Sequence, residues 1–170
     1  MKNKKHINLY NGTMLLQLTQ NKWAVIDEQD WEKVKDHTWH TEIARKTFYA
    51  TTSINGRSVR MHRLIMDPGK GEIVDHRDGN GLNNRRSNLR VCNNSQNLRN
   101  RGLPASNKTG FKGVYKPKDR KKYTAQIKTD SKSLYLGSFS DPVDAAKAYD
   151  AAARAIFGEF AMTNKKLGLY

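Results

Sequence analysis

Hydrophobic and polar positions alternate in short bursts along the first sixty residues. Met14-Leu15-Leu16-Gln17-Leu18 and Lys22-Trp23-Ala24-Val25-Ile26 flank a polar turn, Thr19-Gln20-Asn21, and predict a β-hairpin. Asp27 stands where an N-cap belongs, with Glu28 and Asp30 in the next turn, and predicts a short helix through Trp31 and Val34. Phe48 to Ser53 and Ser58 to Leu64 surround Ile54-Asn55-Gly56-Arg57. Asn and Gly both tolerate positive φ, so these runs predict a second hairpin. Residues 1–58 therefore read as a β-rich support packing Trp23, Trp31 and Trp39, with no chemistry of its own.

Residues 59–101 change character. Val74-Asp75-His76 ends a strand-like run, the turn-prone Asp78-Gly79-Asn80-Gly81 follows, and Leu89-Arg90-Val91-Cys92 reads as the returning strand. Ser95 can cap a helix carrying Asn97 near its start. Gly102 to Thr109, with Pro104, looks like an extended linker. Beyond it, strands are predicted around 113–115, 123–128 and 133–139, then a helix. Asp141 can cap that helix, Pro142 suits its first position, and Asp144 can complete the cap. Ala145, Ala146, Tyr149, Ala152, Ala153 and Ile156 recur at helical spacing, and Gly158 is a natural stop. Small side chains on that stripe let a helix lie close against a thin sheet. The predicted fold class is α+β.

Composition alters this picture in one respect, the partner. Lys and Arg number 31 against 16 Asp and Glu in 170 residues, a formal net charge of +15. Such an excess argues for a polyanion, and nucleic acid is the commonest. A single cysteine, Cys92, excludes an internal disulfide and a Cys-rich zinc finger. No apolar run approaches the roughly 20 residues of a membrane span, and no signal-type apolar run follows the N-terminus. A soluble cytoplasmic protein is expected.

Asp75 and His76 place a hard oxygen ligand beside a near-neutral base, and Asn97 adds a second oxygen donor. Phosphodiester hydrolysis needs an activated water, charge neutralisation on the phosphoryl oxygens and a stabilised leaving O3′. His76 can be the general base, because the ordinary imidazole pKa of about 6.5 lies near working pH. Carboxylate, amide and water ligands suit one Mg²⁺ or Mn²⁺ rather than zinc. Asn88 can brace the loop by bonding its backbone or His76. Arg63, Arg77, Arg85, Arg86 and Arg90 are candidate phosphate contacts. His62 is either a neighbour of the scissile phosphate or a packing residue.

The runs Met61-His62-Arg63-Leu64, Val74-Asp75-His76-Arg77-Asp78-Gly79-Asn80, Asn83-Asn84-Arg85, Ser87-Asn88-Leu89-Arg90 and Ser95-Gln96-Asn97 resemble the HNH homing endonucleases of phages and mobile introns. The resemblance implies a ββα-metal core. By position it makes Asp75 and Asn97 the metal ligands, His76 the general base and Asn88 the structural Asn. Asp75 and Asn97 stand where many members use His. It also implies a phage-infected or bacterial cell as the setting.

Between Arg101 and Ser140 stand ten Lys or Arg and two acids, Asp119 and Asp130, interleaved with Tyr115, Tyr123 and Tyr135. Alternation would leave one face of a small sheet for DNA and the other for the Ala-rich helix. Lys112, Tyr115, Lys116, Lys118, Arg120, Lys122, Gln126, Lys128 and Tyr135 are candidates for the reading face, Gln126 being suited to adenine and a basic side chain to guanine. Gly110-Phe111-Lys112-Gly113-Val114-Tyr115, Tyr123-Thr124-Ala125-Gln126-Ile127, Leu136-Gly137-Ser138-Phe139 and Ala145-Ala146-Lys147-Ala148-Tyr149-Asp150 are similar to the APETALA/ethylene-response-factor DNA-binding domain. That resemblance implies a three-stranded sheet packed on one helix, with Lys112, Gln126, Lys128 and Tyr135 at DNA-contacting positions. Ser133 and Tyr115 each replace a usual Arg.

The expected organisation is a nuclease domain over 1–101, with the ββα-metal core at 59–101, a linker over 102–109 and a DNA-binding domain over 110–170. The expected function is site-specific, metal-dependent cleavage of double-stranded DNA by a monomer that nicks one strand per engagement. Two alternatives stay open: a non-enzymatic DNA-binding regulator with a vestigial nuclease site, and a sequence-independent restriction or packaging nuclease.

Overall fold

The computed structural model describes residues 5–44, 47–129 and 132–170. The first four residues of the expected nuclease domain, and Asp130 of the basic stretch, lie outside the described residues. The chain mixes small antiparallel sheets with a few helices and divides into two compact units, Met1–Asn94 and Ser95–Tyr170. The stretch 102–109, expected as a linker, lies inside the second unit. Lys112 anchors it there, with Nζ donating to the carbonyls of Arg99 and Arg101 at 2.8 and 2.5 Å.

Alternation builds the first unit. β1 (His6–Asn8), β2 (Thr13–Gln17) and β3 (Trp23–Asp27) form one antiparallel sheet. Met14 pairs with Ile26 and Leu16 with Ala24, all four facing the core. A short 3₁₀ turn leads into α1 (Trp31–Val34). β4 (His40–Ala44), β5 (Thr47–Ile54) and β6 (Arg57–Arg60) form a second sheet. Its last turn sets Asn55 and Gly56 at φ 50° and 74°, the paired positive angles an Asn-Gly hairpin uses.

The strand expected over 58–64 stops at Arg60, and the chain continues as α2 (Met61–Met66). Met61 and Ile65 explain the switch: they lie one helical turn apart and both are fully buried. β7 (Ile73–His76) and β8 (Leu89–Cys92) complete the unit as an antiparallel pair. Leu16, Ile26, Val34, Met61, Val74 and Leu89 share a single core. The support and the nuclease core read separately from the sequence are therefore one body.

Trp39 is buried in this core, its Nε1 donating to the Val34 carbonyl at 2.9 Å, and Trp31 packs half-buried against it, while Trp23 is half-buried. Asp27 stands at the N-cap of the 3₁₀ turn as expected, but its side chain makes no cap bond; its carboxylate accepts the backbone N–H of Arg86 at 2.7 Å instead. Asp30, 1% exposed, receives the Arg86 guanidinium at 2.8 and 2.7 Å. Arg86 is thus committed to holding this unit together rather than to a phosphate. Arg86→Met leaves the buried Asp30 carboxylate without its guanidinium, and because the Arg86 end is 40% exposed and screened, unfolding free energy should fall by about 1–3 kcal/mol. Chemical denaturation checks this, and an unchanged midpoint would restore the phosphate role.

α3 (Asn94–Arg99) begins one residue ahead of the expected cap Ser95, and all but its first residue belong to the second unit. β9 (Val114–Tyr115), β10 (Tyr123–Lys128) and β11 (Ser133–Phe139) form an antiparallel sheet with β10 in the middle. α4 (Pro142–Phe157) packs on it, capped by Asp141, which accepts the Val143 N–H at 2.7 Å. Asp144 pairs instead with Lys147 at 3.3 Å. Ala145, Ala146, Tyr149, Ala153 and Phe157 are buried, whereas Ile156, expected on that stripe, is exposed. The i, i+4 series 149–153–157 sets the buried line, and residue 156 falls beside it. Gly113 has no substitute here, since its φ is +75° and an added Cβ would stand 1.9 Å from the Tyr149 ring. Asp150, fully buried, accepts the backbone N–H groups of Asn164 and Lys165 and the Tyr170 hydroxyl, pinning the final segment to the helix.

Candidate active site

β7 delivers Asp75 and His76 to the same end of the first unit, and their neighbours in β8 are Arg90 and Leu89. The Arg90 Nε and Nη2 donate to Asp75 Oδ2 at 3.0 and 2.8 Å, and both side chains are buried. Arg90, expected on a phosphate, is therefore the cross-strand partner of the candidate metal ligand.

His76 is 4% exposed and lies among groups from three parts of the unit. Its ring centroid is 4.8 Å from that of His62 and 5.8 Å from that of Tyr49, while Tyr49 and His62 are 5.6 Å apart. The Arg60 guanidinium sits 4.3 Å from the Tyr49 ring centre and is held by Glu42 through two hydrogen bonds of 3.1 and 2.6 Å. His76 Nε2 lies 3.3 Å from Asn84 Oδ1. The Asn84 amide nitrogen donates to the Leu82 carbonyl at 3.1 Å, so Oδ1 is the accepting end. Nε2 then carries the ring proton and Nδ1 is the basic nitrogen.

The loop joining β7 to β8 is tied by its own side chains. Asn88 Nδ2 donates to Asp78 Oδ1 and to the Asn83 carbonyl, at 2.9 and 2.8 Å, and Asn88 Oδ1 accepts the Asp78 N–H at 3.1 Å. Asp78 also accepts the Asn80 N–H and the Asn83 amide, both at 2.8 Å. Arg85, expected on a phosphate, donates Nε to Asn83 Oδ1 at 3.0 Å. The loop is sewn to β3 by a parallel bridge: the Val25 N–H donates to the Leu82 carbonyl at 2.8 Å, and the Asn84 N–H to the Val25 carbonyl at 2.7 Å. At Gly81 an added Cβ would meet the Phe48 carbonyl at 2.4 Å and the Tyr49 ring at 2.6 Å.

Burial pushes the His76 pKa below the ordinary imidazole value, while its bond to Asn84 and the charges of Asp78 and Asp75 pull the other way. His62, buried beside His76, Arg60 and Arg63, is pushed down to about 3, burial being the largest cause. Both rings are thus neutral at working pH. An unfolded chain takes up these protons first as pH falls, so the native state loses stability below about pH 6.5, with the His62 contribution lost progressively down to its folded value. Urea unfolding between neutral pH and pH 4 should show this decline, and His62→Phe should flatten it. An equally steep decline in that variant would contradict the assignment.

Among the described residues no three His, Cys, Asp or Glu side chains gather as an all-protein metal shell. Residues 67–99 match the family model described as HNH endonuclease. An uncharacterized HNH endonuclease of Acanthamoeba polyphaga mimivirus is 30% identical over 149 residues, covering 84% of this chain and 75% of the relative. The chain belongs to the HNH endonuclease family. It is an enzyme, a DNA endonuclease. Protein 3.8 of Escherichia phage T7 is also similar, 32% identical over 92 residues, or 54% of this chain and 75% of the relative.

The other expected contacts of the endonuclease divide into exposed and committed groups. Arg77 is exposed, and so is Arg63, whose Nη1 donates to the Glu72 carbonyl at 2.9 Å. Asn97 lies half-buried in α3, within the second unit. Lys112, expected on the reading face, has its ammonium on the Arg99 and Arg101 carbonyls, and burial lowers its pKa to about 8. Gln126 pairs in register with Tyr135, Lys128 with Ser133 and Thr124 with Tyr115, which places these six on the sheet face away from α4. Of them Tyr115, Gln126, Lys128, Ser133 and Tyr135 are exposed. Lys116 is exposed and sits 5.0 Å from the Tyr123 ring centre, and Lys118, Arg120 and Lys122 are exposed around the β9–β10 connection.

Sequence reasoning missed Asn84, Tyr49 and Arg60. The doubled Asn83-Asn84 was a usable signal, since two amides in a short loop need partners. Nothing near Tyr49 or Arg60 in the sequence points to His76.

No helix among the described residues is long and apolar enough to cross a membrane.

Proposed function

We propose that this endonuclease is a site-specific, homing-type enzyme that hydrolyses one phosphodiester per engagement with a His general base and one divalent cation. The observation that carries the reading is the pairing of a buried carboxylate, Asp75, with a neutral, Asn84-oriented His76 at the end of one strand. The donor chemistry fits a hard cation: a carboxylate and an amide oxygen suit Mg²⁺ or Mn²⁺, and among the described residues no three His, Cys, Asp or Glu side chains gather into a zinc-type shell. Asp75 would hold that ion in a ββα-metal arrangement, and on the family resemblance Asn97 is the second ligand. The bound ion supplies charge neutralisation at the phosphate and at the departing O3′.

The chain's own residues do the rest. His76 Nδ1 accepts the proton of the attacking water, while Asn84 fixes the ring's tautomer and tilt. Asn88 keeps the loop in shape, and Tyr49 and His62 exclude bulk water from the ring. Arg63 and Arg77 are both exposed, which suits them to backbone phosphates. In the second unit, the face of Tyr115, Gln126, Lys128 and Tyr135 reads double-stranded DNA in the manner of the APETALA/ethylene-response-factor domain, with Lys116 on phosphate. One site in a monomer gives a nick, and the viral origin of both relatives favours action inside an infected cell.

Supercoiled plasmid carrying a target separates this from a binding-only regulator. Open circles should form with Mg²⁺ or Mn²⁺ and none with EDTA. Plasmid left supercoiled in every metal would end the enzymatic reading, and linear product without an open-circle intermediate would end the nicking mode.

A further inference from the structure

Asp75 is asked to hold a dication, yet its carboxylate already carries a guanidinium. Arg90 sets Nε and Nη2 on the same oxygen, Oδ2, at 3.0 and 2.8 Å, and both side chains are buried. The other carboxylate acting on His76, Asp78, is spent on the loop: Oδ1 accepts from the Asn80 N–H and Asn88 Nδ2, and Oδ2 from Asn83 Nδ2. A dication approaching the DNA-free site therefore meets a charge-compensated pair, in a protein of net charge +15. It must also shed water, which Mg²⁺ does reluctantly. What the site lacks is negative charge, and a phosphodiester brings it.

We propose that Arg90 makes metal loading conditional on DNA. By cancelling the charge of Asp75 it holds the cation affinity of the free enzyme low, and the substrate phosphate restores the balance, so that cation and DNA enter as a coupled pair. The free enzyme is then kept from acting as a standing metal hydrolase. Arg90 is a positioning residue in this scheme: it also fixes which carboxylate oxygen turns toward β8. Linkage requires reciprocity, so the cation must tighten DNA binding by the same factor that DNA tightens cation binding. The inference rests on the reading of Asp75 as a metal ligand given above.

The test is Mn²⁺ binding followed by electron paramagnetic resonance of the unbound ion. It uses His76→Ala protein, alone and on a duplex spanning a mapped cut site, with the duplex by itself as blank. DNA should raise Mn²⁺ affinity roughly ten- to hundredfold, the span of ordinary couplings between two ligands. Adding Arg90→Gln should tighten Mn²⁺ binding by DNA-free protein and shrink the coupling, whereas Arg90→Lys, which keeps the charge, should leave DNA-free binding weak. A purely structural Arg90 would lower the melting temperature in both variants and move neither affinity. If Arg90→Gln fails to fold, the comparison with and without DNA decides alone. Equal affinity in both states, lost in Asp75→Asn, overturns the inference and leaves the metal-dependent reading standing. No Mn²⁺ site with or without DNA overturns both.

Discussion

His76→Ala should abolish strand cleavage, lowering the single-turnover rate by about 10² to 10⁴, while the dissociation constant for target DNA stays within a few-fold of wild type. The size follows from what a positioned base supplies, and the selectivity from the position of the ring. His76 is 4% exposed, so it can contribute little to the DNA-facing surface. Its depressed pKa leaves Nδ1 unprotonated below the ordinary imidazole range, and the acid limb of the pH–rate profile should therefore fall below about pH 6.5. The ring also packs against Tyr49 and His62, so the variant needs a melting curve beside the rate. Loss of cleavage with an intact melting temperature marks a base. Joint loss of cleavage, DNA binding and melting temperature would make His76 a packing residue.

DNA affinity should fall steeply with salt, by about 10³ to 10⁵ between 50 and 200 mM, if six to ten phosphates are neutralised. The exposed lysines and arginine of the second unit, at 116, 118, 120, 122 and 128, can supply much of that charge. Lys128→Ala should reduce the salt slope by about one. Gln126→Ala should leave the slope alone and weaken discrimination between sites. Lys112→Ala should do neither, because its ammonium already serves the Arg99 and Arg101 carbonyls; it should destabilise the second unit instead. A salt response with no slope would remove the sheet face as a backbone-binding surface.

The elements that rest on local chemistry were legible in the sequence. The Asn55-Gly56 turn, the three strands of the second unit and the Asp141-Pro142 start of α4 follow from φ preferences, alternation and capping, which act over a few residues. So did the loop held by Asn88, because Asn and Asp side chains bond backbone close in sequence. What failed was the sorting of basic residues. Arg86 reaches Asp30 across 56 positions, Arg90 reaches Asp75 across a strand pair, and Lys112 turns back onto the end of α3. Charge in a sequence carries no record of whether a partner waits inside. The same distance hid Tyr49 and Arg60, which come from the region read as mere support and touch His62 and His76 only through the tertiary fold. The switch from strand to helix at Met61 was masked because β-like alternation and an i, i+4 pair coincide over so few residues.

The stitching of residues 82–84 onto β3 bears on how such a motif can travel between genes. The family model matches 67–99, but Asn84, which contacts His76, takes its backbone support from Val25. Recombination that moved only the matched stretch would deliver a loop without its seam, and the imidazole would lose its orientation. The smallest inheritable cassette of this nuclease core therefore runs from the β1–β3 sheet through α3, and chimaeras spliced near residue 60 should come out silent.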